Sequence, residues 1–291
     1  MTKAAVVSEN DPLNGAFLKE YNADANIRKY ARETAGYGIS YLLEHEYGDL
    51  YLEVLDKYIP KARLQSGIRL WEFGCGGGMN LIRLISLMER RGIAWECAYG
   101  TDFSEPMIEA AKREAKAFLT PSQSAKVRFC VARNESLVKD LTKEVEITEQ
   151  RLLKSFDVMV GVNTIRYNHR LMNEGECVAD VFRLLRQNGV CIVIDMNDKF
   201  PAFRSRLRER HPREDRAYYL PSLEEYARPF SSAGFEILKK ENFCWVPHSA
   251  GRSLTTVMKT LTPVLGAFVP GRAMRSLVVC QKNRTSMRSS G

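Results

Sequence analysis

Along this chain, compact apolar runs alternate with longer stretches in which apolar side chains return every third or fourth position, the signatures of strands and amphipathic helices. The runs predict strands at 68–73, 95–102, 126–132, 156–163 and 190–196. Between them helices are expected at 80–91, where Leu81, Ile82, Leu84, Ile85 and Met88 form the apolar side, at 105–118, and at 176–186, closing at Gln187-Asn188-Gly189. Further on, Ser222-Leu223-Glu224-Glu225 has the capping-box pattern that opens a helix ending near Gly234, followed by strands at 235–246 and 276–281. Such alternation argues for an α/β fold: a doubly wound, mostly parallel sheet with helices on both faces.

One junction stands apart. Leu70-Trp71-Glu72-Phe73 breaks into Gly74-Cys75-Gly76-Gly77-Gly78 before the helical pattern resumes. Glycines there let the backbone turn sharply and let a ligand pack directly on the main chain, and the helix that follows offers free N–H groups. Glu72 ends the strand with a carboxylate, which repels a phosphate and welcomes a cation, so the turn suits a charged amino group better than a diphosphate. The next strand also ends in an acid, Asp102, placed where a ribose diol is held. Nicotinamide-binding turns read G-x-G-x-x-G with an acid about 20 residues on, and neither the glycine spacing here nor the late Asp102 matches.

The pair Trp71-Glu72-Phe73-Gly74-Cys75-Gly76-Gly77-Gly78 and Gly100-Thr101-Asp102-Phe103-Ser104-Glu105-Pro106-Met107 resembles motifs I and II of the class I S-adenosylmethionine-dependent methyltransferases, closest to the group containing quinone and other small-molecule enzymes. The resemblance implies a seven-stranded Rossmann-like sheet ending in an antiparallel hairpin, with S-adenosyl-L-methionine as cofactor. It assigns the methionine end of the donor to Glu72 and Gly74, close passage to Cys75 and Gly76, the ribose hydroxyls to Asp102, and the adenine faces to Phe103 and Met107. Where the family often places an acid on the adenine amine, this chain has Arg133, so that contact passes to Asn134 or Glu135. Asn163, at the end of the fourth strand, is expected to face both sulfonium and acceptor.

The implied organisation is a helical cap over the site at 1–66, a methyltransferase domain at 67–283 with an insertion at 247–273, and a basic tail at 284–291. Seven scattered cysteines among the 291 residues form neither a disulfide framework nor a metal knuckle, and no metal site is expected. Without an export signal or a spanning apolar run, a cytoplasmic location is the expectation.

For the acceptor, the residues leave alternatives. Tyr167 and His169 follow the fourth strand, where a histidine could act as base, although a surface loop beside Arg166 and Arg170 is the commoner fate. Asp195, at the tip of the fifth strand, would orient an acceptor or cap a turn; His248 is expected in solvent. Tyr21, Tyr30, Tyr37 and Tyr41 offer pocket walls or ordinary packing. The apolar stretch 254–270 would seal a pocket for a lipophilic molecule, rest peripherally on a membrane, or pack into the core. A net charge of +8, with six arginines in 204–216, suits an anionic small molecule. RNA is disfavoured, because acids are interleaved with the arginines, stacking aromatics are not, and the fourth strand lacks the N/D-P-P-Y/F signature of base-amine methylation. The leading expectation is methyl transfer to a small acceptor. RNA methylation and a non-catalytic donor-binding scaffold are the alternatives, and oligomeric state is silent.

Overall fold

The computed structural model describes residues 36–144, 147–201 and 219–283. Tyr21, Tyr30, the arginine-rich connector 204–216 and the tail 284–291 lie outside the described residues. The strands β1 (Ile68–Phe73), β2 (Trp95–Asp102), β3 (Val127–Val131), β4 (Phe156–Val162), β5 (Leu185–Met196), β6 (Glu236–Phe243) and β7 (Arg275–Gln281) form one sheet. Their order is β3-β2-β1-β4-β5-β7-β6. The first five pair in parallel, and β7 runs antiparallel to both β5 and β6.

Period-two alternation divides the strand side chains between two cores. Leu70, Ala98, Val158, Val160 and Ile192 point to one face, which is covered by α2 (Tyr47–Tyr58), α4 (Met79–Arg90) and α5 (Glu105–Phe118). Trp71, Tyr99, Met159, Cys191 and Val193 point to the other, beneath α6 (Leu137–Glu144), α8 (Glu174–Leu184) and α9 (Leu223–Ser232). Helix α2 continues from α1 (Tyr37–Tyr41) through a π-helical turn, Leu42–Glu46, and α3 (Lys61–Ser66) leads into β1.

Three segments differ most from the sequence expectation. Helix α8 stops at Leu184, short of the Gln-Asn-Gly turn, because Leu185 is already extended, fully buried and paired with Phe156 of β4. The helix end is closed by Lys282, which donates Nζ to the carbonyls of Phe182 and Leu185; burial pulls its amine down to about 8. Asn188 supplies the left-handed turn inside β5 (φ 62°). Strand β6 ends at Phe243, where Cys244 takes φ 64° and swings the following chain toward the strand tips. The stretch expected to seal a pocket, meet a membrane or fill the core is a helix, α10 (Arg252–Phe268), in which Thr255 is buried and Met258 packs partly against the core, while most of its apolar residues stay outside it.

At the end of the sheet opposite the glycine turn, Asp157 of β4 ties four segments together. Its buried carboxylate accepts from Arg63 Nε and Nη2 at 3.1 and 2.9 Å, Arg186 Nη1 at 2.9 Å and the Arg69 amide at 2.8 Å. Both guanidinium groups remain about a third exposed, so losing the acid costs less than breaking a wholly buried pair. Asp157→Ala is therefore expected to lower stability by about 2–3 kcal/mol. An unchanged urea midpoint would contradict this role.

Candidate active site

The strand order reverses between β1 and β4, and in open α/β sheets that is where a crevice opens beyond the carboxyl ends of the strands. A cavity of about 160 Å³ occupies this place. Its floor comes from the ends of the first four strands: Glu72 with Gly74, Cys75 and Gly76; Asp102 with Phe103; Arg133 with Asn134; and Val162 with Asn163. Met107 of α5 lines it from one side, and Ile39, Leu42, Leu43 and Tyr47 of the helical segment before β1 line it from another.

The turn after β1 has the shape it has because of what stands beside each glycine. A Cβ on Gly74, which takes φ 65°, would lie 2.1 Å from Thr164 Oγ1. That contact brings the loop after β4 against the loop after β1. Gly76, at φ 51°, would meet nothing within 4 Å, so its missing side chain leaves bare backbone facing open space.

Glu72 is 2% exposed. Its Oε1 accepts from Asn80 Nδ2 at 2.8 Å, and Asn80 in turn accepts from the Tyr51 hydroxyl at 3.0 Å. Oε2 is buried with no hydrogen-bond partner. Burial pushes the Glu72 carboxyl up to about 8 despite the bonds from Asn80 and the Leu81 amide. Asp102 Oδ2 accepts the Gly76 amide at 2.9 Å and Oδ1 the Ser104 amide at 3.0 Å, which fixes the carboxylate at the mouth of the turn. The Phe103 amide also donates to this carboxylate, and burial raises the acid to about 6 despite the three backbone bonds. Asn134 spends its amide nitrogen on Thr164 Oγ1 (2.7 Å) and Asn168 Oδ1 (3.2 Å) and keeps its amide oxygen.

Every residue expected to touch the donor lines this cavity: Glu72, Gly74, Cys75, Gly76, Asp102, Phe103, Met107, Asn134 and Asn163. The expected catalytic set divides. Tyr167 lines the cavity; His169 and Asp195 do not. The segment after β4 is a helix, α7 (Ile165–Leu171), not a loop. Tyr167, Asn168 and Leu171 share its inner face, while His169 is turned away, buried edge-on against Tyr226 with Nδ1 3.4 Å from Glu174. Asp195 is fully buried and accepts from the Arg166 amide at 3.0 Å and from Arg166 Nη1 at 3.3 Å. Arg166 then donates Nη2 to the Tyr167 hydroxyl at 2.7 Å, so Asp195 reaches the site only by positioning other groups.

The residue most misjudged from sequence is His248. Rather than standing in solvent, it lines the cavity and receives Nη2 of the buried Arg275 at 2.8 Å. A guanidinium can only donate, so His248 Nε2 is an acceptor and the ring proton sits on Nδ1. The Tyr47 hydroxyl lies 3.3 Å from the same nitrogen, and Arg275 Nη1 also donates to Asn163 Oδ1 at 2.8 Å. Tyr37 and Tyr41 are not wall residues; Tyr47, one turn further on, is. A polar Asn80 inside the apolar α4 pattern, and Tyr47 and Tyr51 four apart on one helix, were the signals available for what was missed.

A family model described as a methyltransferase domain matches residues 64–247. The citrinin polyketide synthase of Monascus ruber is 24% identical over 153 residues, 53% of this chain; the match spans only 5% of that protein's length. Magnesium protoporphyrin IX methyltransferase from Synechocystis PCC 6803, solved with bound SAH, superposes with a TM-score of 0.57 at 12% identity, over 92% of this chain and 99% of that one. Phosphoethanolamine N-methyltransferase 2 of Haemonchus contortus, in complex with S-adenosyl-L-methionine, gives 0.56 at 14% identity, over 96% and 61%. At such identities the structural likeness establishes the fold.

The buried carboxyl makes a pH prediction. Unfolded, Glu72 ionises near 4.5; folded without ligand it holds its proton to about 8. Between those values the folded state binds the extra proton, so stability is lost as pH rises through that window. Glu72→Gln cannot ionise, and the gap between the stabilities of wild type and variant should shift against wild type from pH 5 to pH 8. Parallel denaturation curves at all pH values would contradict the assignment.

Proposed function

The chain belongs to the methyltransferase domain family, whose members draw on S-adenosylmethionine, and on that premise we propose that this protein transfers a methyl group to a small, largely apolar acceptor held beside His248 and Tyr167. The observation that carries the donor half of this reading is Glu72, a cavity-lining acid whose Oε2 is buried with no hydrogen-bond partner. Such an oxygen is costly unless a donor arrives, and an amino-acid ammonium is the donor that fits. The bare backbone at Gly76 and the fixed carboxylate of Asp102 suit the rest of the molecule, so the residues present fit S-adenosylmethionine.

In this reading Glu72 holds the ammonium, and Asp102 accepts from the ribose diol with the acceptor capacity its three backbone bonds leave free. Phe103 and Met107 enclose the adenine, and the Asn134 amide oxygen accepts from its exocyclic amine in place of the acid that Arg133 displaces. The bound donor supplies a methyl group already activated by positive sulfur, so what remains for the protein is to align the acceptor and to keep water out. Ile39, Leu42, Leu43 and Leu171 give that side of the cavity its apolar character, which favours a lipophilic small molecule. His248, with its acceptor nitrogen tied to Arg275 and Tyr47, and Tyr167, tied to Arg166, are the polar groups placed to orient the nucleophile. RNA gains no support from the described residues.

Calorimetric titration with S-adenosylmethionine checks the donor half: Asp102→Ala and Glu72→Gln should each weaken binding at least tenfold. Unchanged affinity in both would refute it. With candidate lipophilic acceptors, S-adenosylhomocysteine should accumulate and His248→Ala should slow its formation with donor affinity unaltered. Donor binding without product from any extract fraction would favour the scaffold reading.

A further inference from the structure

Helix α10 presents Leu254, Val257, Leu261, Val264 and Phe268 at intervals of three and four residues, which places them on one stripe. These side chains are between 43% and 81% exposed, Phe268 most of all. Thr255 marks the face against the body of the protein, and Val264, nine positions later, lies about 180° round the helix from it at about 100° per residue. The stripe thus points outward. Contiguous exposed apolar surface of this kind marks an interaction site.

Charge selects the occupant. From Asn242 to Gly291 the chain has seven lysines and arginines and not one aspartate or glutamate. Of these, Arg275 and Lys282 are buried, while Arg252 and Lys259 stand exposed on the flanks of the helix, about 60° and 40° round from Thr255 and over the rings of Tyr37 and Tyr41, and Arg272 follows its end. A second copy of the chain would bring a second acid-free cationic helix against the first, whereas an anionic bilayer complements both the apolar stripe and its charge. Seventeen residues of helix extend about 25 Å, are interrupted by Pro263, and among the described residues no helix is long and apolar enough to cross a membrane. A helix of this make lies in the interface, not through it.

We infer that α10 docks this protein on anionic lipid surfaces. The position is apt: the Gly38 amide donates to the Ala250 carbonyl at 2.8 Å, joining the start of α10 to α1, and Ile39 and His248 on either side of that bond line the cavity. A lipophilic molecule dissolved in the bilayer would meet the rim directly. The docking itself does not depend on the methyl-transfer reading, since vesicle binding is measured without donor or acceptor.

The test is co-sedimentation of the full chain with phosphatidylcholine vesicles with and without phosphatidylserine. Binding is expected to the phosphatidylserine vesicles and to be at least tenfold weaker to phosphatidylcholine alone. Val257→Asp combined with Val264→Asp, both at exposed positions, should weaken it at least tenfold while leaving calorimetric donor binding unchanged. Failure of wild type to sediment with either vesicle, equal binding to both, or undiminished binding of the double variant would overturn the inference. So would light scattering that shows a dimer which the double variant dissociates, because the stripe would then belong to a second copy.

Discussion

A carboxylate removed from water at the tip of β1 sets the terms for the whole site. Glu72 has one oxygen engaged by Asn80 and the other by nothing, in a setting that favours its neutral form. Such an arrangement is unfavourable in the empty protein and becomes favourable when a cation enters, so the group is set to favour a cationic ligand. Asn80 and Tyr51 hold the acid in place through helices on the same face of the sheet, and the glycine turn beside it keeps the approach clear. Asp102, fixed by the amides of Gly76 and Ser104, couples the second strand tip to the same turn.

Much of this was legible in the chain. Strands of a parallel sheet are apolar throughout, and the five that build the site stood out as short runs ending at or near their observed limits. The cavity-lining residues at the strand tips were legible for the same reason: they sit within a residue or two of a glycine or an acid, where local sequence fixes position. Where tertiary contacts decided, the sequence was mute. Leu185 looked helical until its pairing with Phe156 made it a strand residue, and the helix end was closed by Lys282, nearly a hundred positions away.

The acceptor side was less legible because it is assembled from distant pieces. His248 reads as a loop histidine and becomes a wall residue only because Cys244 turns the chain back and Arg275, on β7, donates to it. His169 failed in the opposite sense: reading the segment after β4 as a loop hid the helical periodicity that turns Tyr167 inward and His169 out. Both are questions of side-chain direction, which spacing answers only once the element type is known. The apolar insertion was visible as an anomaly, and the helix accounts for it: Leu254, Val257, Leu261, Val264 and Phe268 form an exposed stripe, and Met258 packs partly against the core.

A Glu72 carboxyl raised by burial is expected to carry its proton in the free protein at pH 7 and to ionise on receiving an ammonium. Calorimetry of S-adenosylmethionine binding at pH 7 in buffers of different ionisation enthalpy measures the proton exchange directly. With the carboxyl held near 8, net proton release on donor binding is predicted for wild type, and none from this group in Glu72→Gln. Binding by wild type with no proton release, or with the same release in the variant, would contradict the account.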